Sequence, residues 1–264
     1  MTSIYQDLLQ SRRDLTQWLI HFTRGEGLDA QDVLYHILME GVLRPGWATR
    51  GEWDESTVYG EIEAVCFSEQ PVDAFIEYVN KRQNHKYVAG YGLFLHRNDV
   101  HAAGGLPVIY GLGSCHVETR GDRRLIKADD LPLNEQYRYI VFSPNNIEHP
   151  IDWTHEREWR WPANSLFANG SKLFFIGLPQ NQYKCRVHAF VEHDADIKTF
   201  QTRIKGMMER DEVGKVGRPM VEDYDQYWKA KLLKMHLVSL ETAKREGISR
   251  FEDWPDKFKS PLIP

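Results

Sequence analysis

The chain has 264 residues, a formal net charge of −5, 42% hydrophobic residues and 27% charged residues. That length and balance suit one large or two small globular domains with a buried core, and the net charge gives no general pull toward nucleic acid. No apolar run reaches the roughly 18 residues of a membrane span. Three cysteines, Cys66, Cys115 and Cys185, stand outside any CxxC pair, which speaks for a reducing compartment and against structural zinc.

Taken in chain order, residues 3–13 read as a short helix. Their charges follow the apolar residues and no small-residue cleavage site is present, so they do not read as a secretion signal, and a cytoplasmic location is expected. LIHFTR (19–24) reads as a strand. LDAQDVLYHILMEGVL (28–43) carries Val33, Leu34, Ile37 and Leu38 at helical spacing, with Asp29 as a cap and Gly41 near the end. RPGWATRGEWDESTVYG (44–60) reads as a long loop of the kind that often carries function.

IEAVCFSE (62–69) is an apolar strand, followed by a helix in PVDAFIEYVNKRQ with Pro71 in its first turn. KYVAGYGLFLHR (86–97) reads as a strand, then a helical turn and a Gly-Gly break. Further strands are expected at 107–111, 137–143, 156–161, 172–178 and 185–193, and helices at 194–211 and 221–247. Short strands joined by tight turns, with helices gathered toward the two ends, imply an α+β fold with a mainly antiparallel sheet core. No internal repeat or low-complexity tract is present.

Familiar catalytic signatures are absent: no GxxxxGK[ST] or GxGxxG loop, no HExxH, no HxE with PCxxC, no GxSxG. What stands out is THEREWRW (154–161), which sets Glu156, Glu158 and Arg160 at every second position. On a strand these three side chains share one face. Two adjacent carboxylates suit a site that stabilises positive charge. The bland alternative is an edge strand carrying a Glu158–Arg160 ion pair. His21 and Thr23 interrupt LIHFTR, and Ser68 ends IEAVCFS just before a helix, where a serine usually caps.

In order, HFT (21–23), CFSEQP (66–71) and EREWR (156–160) resemble the motifs of the ADP-ribosyltransferase fold, in particular the bacterial transferases of phage defence and toxin–antitoxin systems. LYHILMEGVLRPG (34–46), YGLFLHR (91–97), GGLPVIYG (104–111) and WTHEREWR (153–160) are similar to the same families. The resemblance covers residues 17–195. It implies a transferase-like domain over 1–195 and a helical C-terminal extension over 196–264, packed on that domain.

The resemblance implies NAD as co-substrate and no metal. It makes Glu158 the catalytic carboxylate, with Glu156 as acceptor base or as the primary group itself. It assigns the cofactor to His21, Thr23, Arg24 and Ser68. Ser68 stands where relatives of this kind often have tyrosine, so Tyr91 or Tyr87 is expected to supply the aromatic platform. It also implies a nucleic-acid acceptor, RNA or single-stranded DNA, and an antitoxin protein as partner. The basic stretch TRGDRRLIK (119–127) offers Arg120, Arg123, Arg124 and Lys127 for that acceptor. The alternatives are a protein acceptor, a non-catalytic binding or immunity module, and a nuclease using Glu61, Glu63 and Glu156 as metal ligands; the nuclease lacks a DxK or ExK dyad.

Overall fold

The computed structural model describes residues 8, 11–25, 28–50, 55–82, 87–112, 117–120, 123–147, 150–165, 168, 172–173, 175, 185–210 and 224–264. Its first elements are β1 (Trp18–Phe22), α1 (Ala30–Glu40), β2 (Thr49–Arg50), β3 (Glu55–Ser56), β4 (Ala64–Ser68), α2 (Val72–Arg82), β5 (Gly92–His96) and α3 (Arg97–Ala102). Next come β6 (Leu106–Pro107), β7 (Ile109–Gly111), β8 (Val117–Arg120), β9 (Arg123–Ile126), β10 (Tyr139–Val141) and β11 (Glu158–Pro162). The last are β12 (Val187–Val191), α4 (Asp194–Glu209), α5 (Tyr224–Leu232), β13 (His236–Ser239), α6 (Leu240–Glu246) and β14 (Ser260–Pro261). The fold is α+β with mainly antiparallel pairing, as expected. Among the described residues no helix is long and apolar enough to cross a membrane.

The chain divides into two compact units. Unit 1 gathers Met1–Val42, Glu69–Asp99 and Phe174–Pro264, and unit 2 gathers Leu43–Ser68 and Val100–Leu173. The boundary therefore does not fall at residue 195, and residues 196–264 are not a purely helical extension. They supply β13 and β14 to the sheet of unit 1.

In unit 1, β5 is paired on both sides by antiparallel neighbours, β1 (Ile20↔Phe94) and β12 (Ala189↔Leu93). β13 then lies parallel to β12, and β14 antiparallel to β13. Every residue of β5 is buried, which explains its near-continuous apolar run. Ile20, Phe94, Phe190 and Val238 join Val72, Phe75, Ile76 and Val79 of α2 in one core. The 72, 75, 76, 79 spacing is one helix face. α1 begins where Asp29 accepts from the Gln31 N–H and ends at Gly41, φ 72°, the left-handed geometry that glycine adopts without strain.

The expected helix over 221–247 is broken. α5 ends at Leu232, and HLVS forms β13. Leu237 and Val238 are both fully buried, on opposite faces, so pairing with β12 buries two apolar side chains that one helical stripe would not. Ser239 then caps α6 by accepting from the Thr242 N–H, and Gly247, φ 66°, closes it. The expected strand 86–97 shortens to Gly92–His96. The expected loop 44–60 contains the β2–β3 pair. Most of the expected helix 3–13 and strand 172–178 lies outside the described residues, although Leu173 bridges Leu43.

Two imidazoles in unit 1 have their tautomers dictated by geometry. Arg186 donates to His96 Nδ1 at 2.8 Å, so that nitrogen is an acceptor and the other faces Gln17 Oε1 at 3.3 Å. His188 Nδ1 accepts from the His236 backbone N–H at 3.1 Å while its ring stacks on Phe251. Both imidazoles are thereby held neutral. Burial, then Arg186, lowers His96 to about 4, and burial, then His236 and Lys259, lowers His188 to about 3.

A native pKa below that of the unfolded chain makes acid favour unfolding. The stability these two groups contribute is complete above about 6.5 and is lost as pH falls toward 4 for His96 and 3 for His188. His188→Gln should therefore flatten the loss of stability between pH 6.5 and 5 by up to about 2 kcal/mol; urea unfolding at the two pH values measures it. A second expectation concerns Gly92. A Cβ there would lie 2.1 Å from the His21 carbonyl oxygen and 2.7 Å from the Phe190 ring. Gly92→Ala should destabilise by at least about 1–3 kcal/mol, the usual cost of overpacking, read as a lower urea midpoint.

Candidate active site

In unit 2, β11 is a central strand and not an edge. It pairs antiparallel with β4 on one side (Glu158↔Ser68, Arg160↔Cys66) and with β6 on the other (Arg160↔Leu106). Every residue of β11 is buried. The alternation works as expected for Glu158 and Arg160, which share one face, while Trp159 and Trp161 take the other. The Trp161 indole donates to the Ala103 carbonyl at 3.1 Å and to Ser165 Oγ at 2.8 Å, fixing that face.

Glu156 does not share the strand face with them. It closes a 3-10 turn, Thr154–Glu156, and Arg157 follows at φ 46°, ψ 50°. A left-handed arginine is costly, of order 1–3 kcal/mol, and it reverses the chain between the two glutamates. The turn is held from β4: Ser68 Oγ donates to the Glu156 carbonyl at 2.7 Å in a buried contact. Ser68 therefore positions the Glu156 backbone. Both carboxylates are buried, Glu156 at 3% and Glu158 at 4% exposure.

Arg160 is the anchor of this region. It is fully buried; Nε donates to Glu158 Oε1 at 2.8 Å, and one Nη donates to the carbonyls of Tyr137 and Tyr139 at 2.7 and 3.2 Å. The ion pair of the bland alternative thus exists, but inside the unit and without an edge. A guanidinium fork suits such a triple engagement because its donors are rigid and its charge permanent.

Tyr110, on β7, completes the surroundings. Its hydroxyl donates to the Trp153 carbonyl at 3.3 Å, and the side chain remains about one-third exposed. Burial first, then the negative charges of Glu158, Glu156 and Asp152, pushes the phenol up to about 12, against the opposing charge of Arg160. The phenol thus feels both carboxylates and the guanidinium. Neither Tyr110 nor the anchoring role of Arg160 is evident from the sequence. A tyrosine in PVIYG has no distinguishing signal, because its placement depends on the parallel β7–β10 pairing.

The cofactor residues expected in unit 1 have these surroundings. His21 lies half-buried on β1 opposite Leu93. Thr23 is buried, and its hydroxyl donates to the Ala30 and Tyr91 carbonyls at 2.8 and 3.0 Å, which ties the end of β1 to the start of α1. Arg24 is half-buried just beyond β1. Tyr91 donates to Asp196 at 2.9 Å, and burial followed by that bond raises its phenol above the usual range. Tyr87 is half-buried in a turn, so it and Tyr91 both precede β5 instead of lying on it.

Arg120, Arg123, Arg124 and Lys127 sit on or beside the β8–β9 hairpin of unit 2, with Arg120 directly opposite Arg123. They are not four equivalent cations. Arg120 pairs with Glu61 at 3.2 Å, Arg123 lies 4.9 Å over the Trp47 ring, and Arg124 lies 4.4 Å over the Tyr59 ring. Lys127 is exposed beyond β9. Among the described residues no group of three His, Cys, Asp or Glu side chains is arranged to hold a metal ion.

No protein-family model, curated protein or solved structure matches the chain.

The energetic weight of the anchor is testable. Arg160→Met strands the buried Glu158 carboxylate and should cost about 3–5 kcal/mol, whereas Arg160→Met combined with Glu158→Leu should recover most of that loss. Denaturant unfolding of the two variants beside wild type measures it.

Proposed function

We propose that the chain is an ADP-ribosyltransferase that consumes NAD, with Glu158 as the catalytic carboxylate. The observation that carries this reading is the Glu158 side chain itself. It is desolvated at the first position of a central strand, oriented by Arg160, opposite Ser68, and it shares its field with Glu156 and Tyr110.

The chemistry suits that environment. Breaking the bond between ribose C1′ and the nicotinamide nitrogen sends the electron pair out with neutral nicotinamide and leaves positive charge on the ribose. A carboxylate already held in place by Arg160 stabilises that charge without reorganising in the transition state. The acceptor nucleophile forms the new bond to C1′, and its proton goes to Glu156 acting as base. The resemblance adds His21 and Arg24 for the ribose and diphosphate. Tyr110 joins Tyr91 and Tyr87 as an aromatic candidate to face the nicotinamide.

The same resemblance makes the protein a phage-defence toxin with an antitoxin partner and an RNA or single-stranded DNA acceptor. Exposed Arg123 beside the half-buried Trp47 ring supports that acceptor, since a cation next to an aromatic face suits unpaired strands, whereas the Tyr59 ring under Arg124 is buried. One observation favours a second reading. The Arg160 contacts give Glu158 a structural role that a non-catalytic transferase-like module would also need.

Incubation with labelled NAD and separate RNA, DNA and protein pools distinguishes the two. Wild type should release nicotinamide and label one pool, most strongly RNA or DNA. Glu158→Gln should lower the rate about 10²–10³-fold. The Glu158→Leu/Arg160→Met protein should be inactive although it folds. Absence of NAD turnover by folded wild type would overturn the transferase reading.

A further inference from the structure

Unit 1 contains a second feature with chemical content, a cleft of about 530 Å³ between the N-terminal stretch around Arg13 and the turns that follow α6. That volume falls within the range of small-molecule sites, roughly 300–1,000 Å³. Its charged lining consists of Arg13, Glu246, Arg250, Asp253 and Lys257.

The balance among these groups is uneven. Arg250 is neutralised in a fork by Asp253, at 2.6 and 2.9 Å. Glu246 accepts from Arg245 at 3.1 Å. Arg13 is exposed and, among the described residues, makes no hydrogen bond or ion pair. Lys257 lies with its ammonium 4.6 Å from the Phe258 ring centre and has no carboxylate partner among the described residues. The Ser249 hydroxyl, in the same wall, is also without a partner among them. Two uncompensated cations thus face one polar cleft on a chain whose net charge is −5. The carboxyl end of α6 opposes an anion there, but with roughly half an elementary charge against two whole ones.

We infer that this cleft binds a small phosphorylated anion, a phosphomonoester or diphosphate. Two cations and a hydroxyl match a dianion with several acceptor oxygens, the guanidinium taking two of them and the ammonium acting as a point charge. A single carboxylate would leave one cation uncompensated. Such a ligand would join the segment carrying Arg13 to the segment carrying Ser249 and Lys257, and so stabilise the folded chain by mass action. The inference is independent of any NAD chemistry.

Calorimetry and thermal unfolding of the full chain with pyrophosphate, inorganic phosphate or adenosine monophosphate test it, against sodium chloride at equal ionic strength. Saturable binding and a rise in melting temperature are expected with at least one of the three. Arg13→Ala and Lys257→Ala should each weaken that binding about tenfold or more. Both residues are exposed and neither has a hydrogen bond or ion pair among the described residues, and the Lys257 contact with the Phe258 ring is a weak surface one, so the melting temperature without ligand should change little. No binding beyond the chloride control, or affinity retained in the Arg13→Ala/Lys257→Ala protein, would overturn the inference.

Discussion

A buried guanidinium needs its charge and its donors answered at once, and Arg160 is where unit 2 meets that demand. Glu158 answers the charge, and the carbonyls of Tyr137 and Tyr139 answer the remaining geometry. These contacts tie β11 to the short helical turn before β10 and to β10 itself. The β7–β10 pairing then places Tyr110, and the turn that ends in Glu156 is held from the other side by Ser68. Glu158 directly, and Tyr110 through β10 and β7, are therefore placed from one cation taken out of water, while Ser68 holds the Glu156 turn. Such a pair contributes little net stability against a well-packed apolar substitute, but it is intolerant of losing one member. Its value lies in fixing position.

That same arrangement shows why one residue can carry both readings of the site. A carboxylate that supports a transition state must be dry and immobile beforehand, and whatever immobilises it is a structural contact. Burial and an ion pair are therefore expected of a catalytic glutamate and of a structural one alike. The two roles differ in consequence: losing a structural glutamate lowers stability, whereas losing a catalytic one lowers turnover in a protein that still folds. The strained backbone at Arg157 belongs to the same region, where the chain passes from the turn ending in Glu156, whose carbonyl Ser68 holds, to the strand that begins at Glu158.

Much of the fold was legible because local rules and burial agree. α1 carries its cap, its apolar face and its terminal glycine in sequence, and α2 its proline and its 72, 75, 76, 79 stripe. HLVS misled because the helical pattern around it continues without a breaker; only the availability of β12 as a partner decides for a strand. THEREWRW was half legible. Alternation from Glu158 onward is a property of the strand, but the strand's start depends on Ser68 and on a left-handed residue that composition does not announce. The four basic residues read as one cluster in sequence, whereas rings from distant positions, Trp47 and Tyr59, give them distinct environments.

The way unit 1 is threaded has a consequence for how the protein is made. Its middle strand, β5, pairs with β1, between Phe22↔Gly92 and Trp18↔His96 and so about 70–78 residues earlier, a long loop to close before the contact forms, and with β12, which is followed only much later by β13 and by the core residues Phe251 and Trp254. On a ribosome, the apolar faces of α2 and β5 emerge long before the side chains that cover them. Unit 1 must wait, partly uncovered, until β13, Phe251 and Trp254 have been synthesised, whereas the pairing of β4, β6 and β11 needs nothing beyond Pro162. The nascent chain is thus expected to spend its synthesis with one half-finished sheet in need of protection, and chaperone engagement should concentrate on α2 and β5.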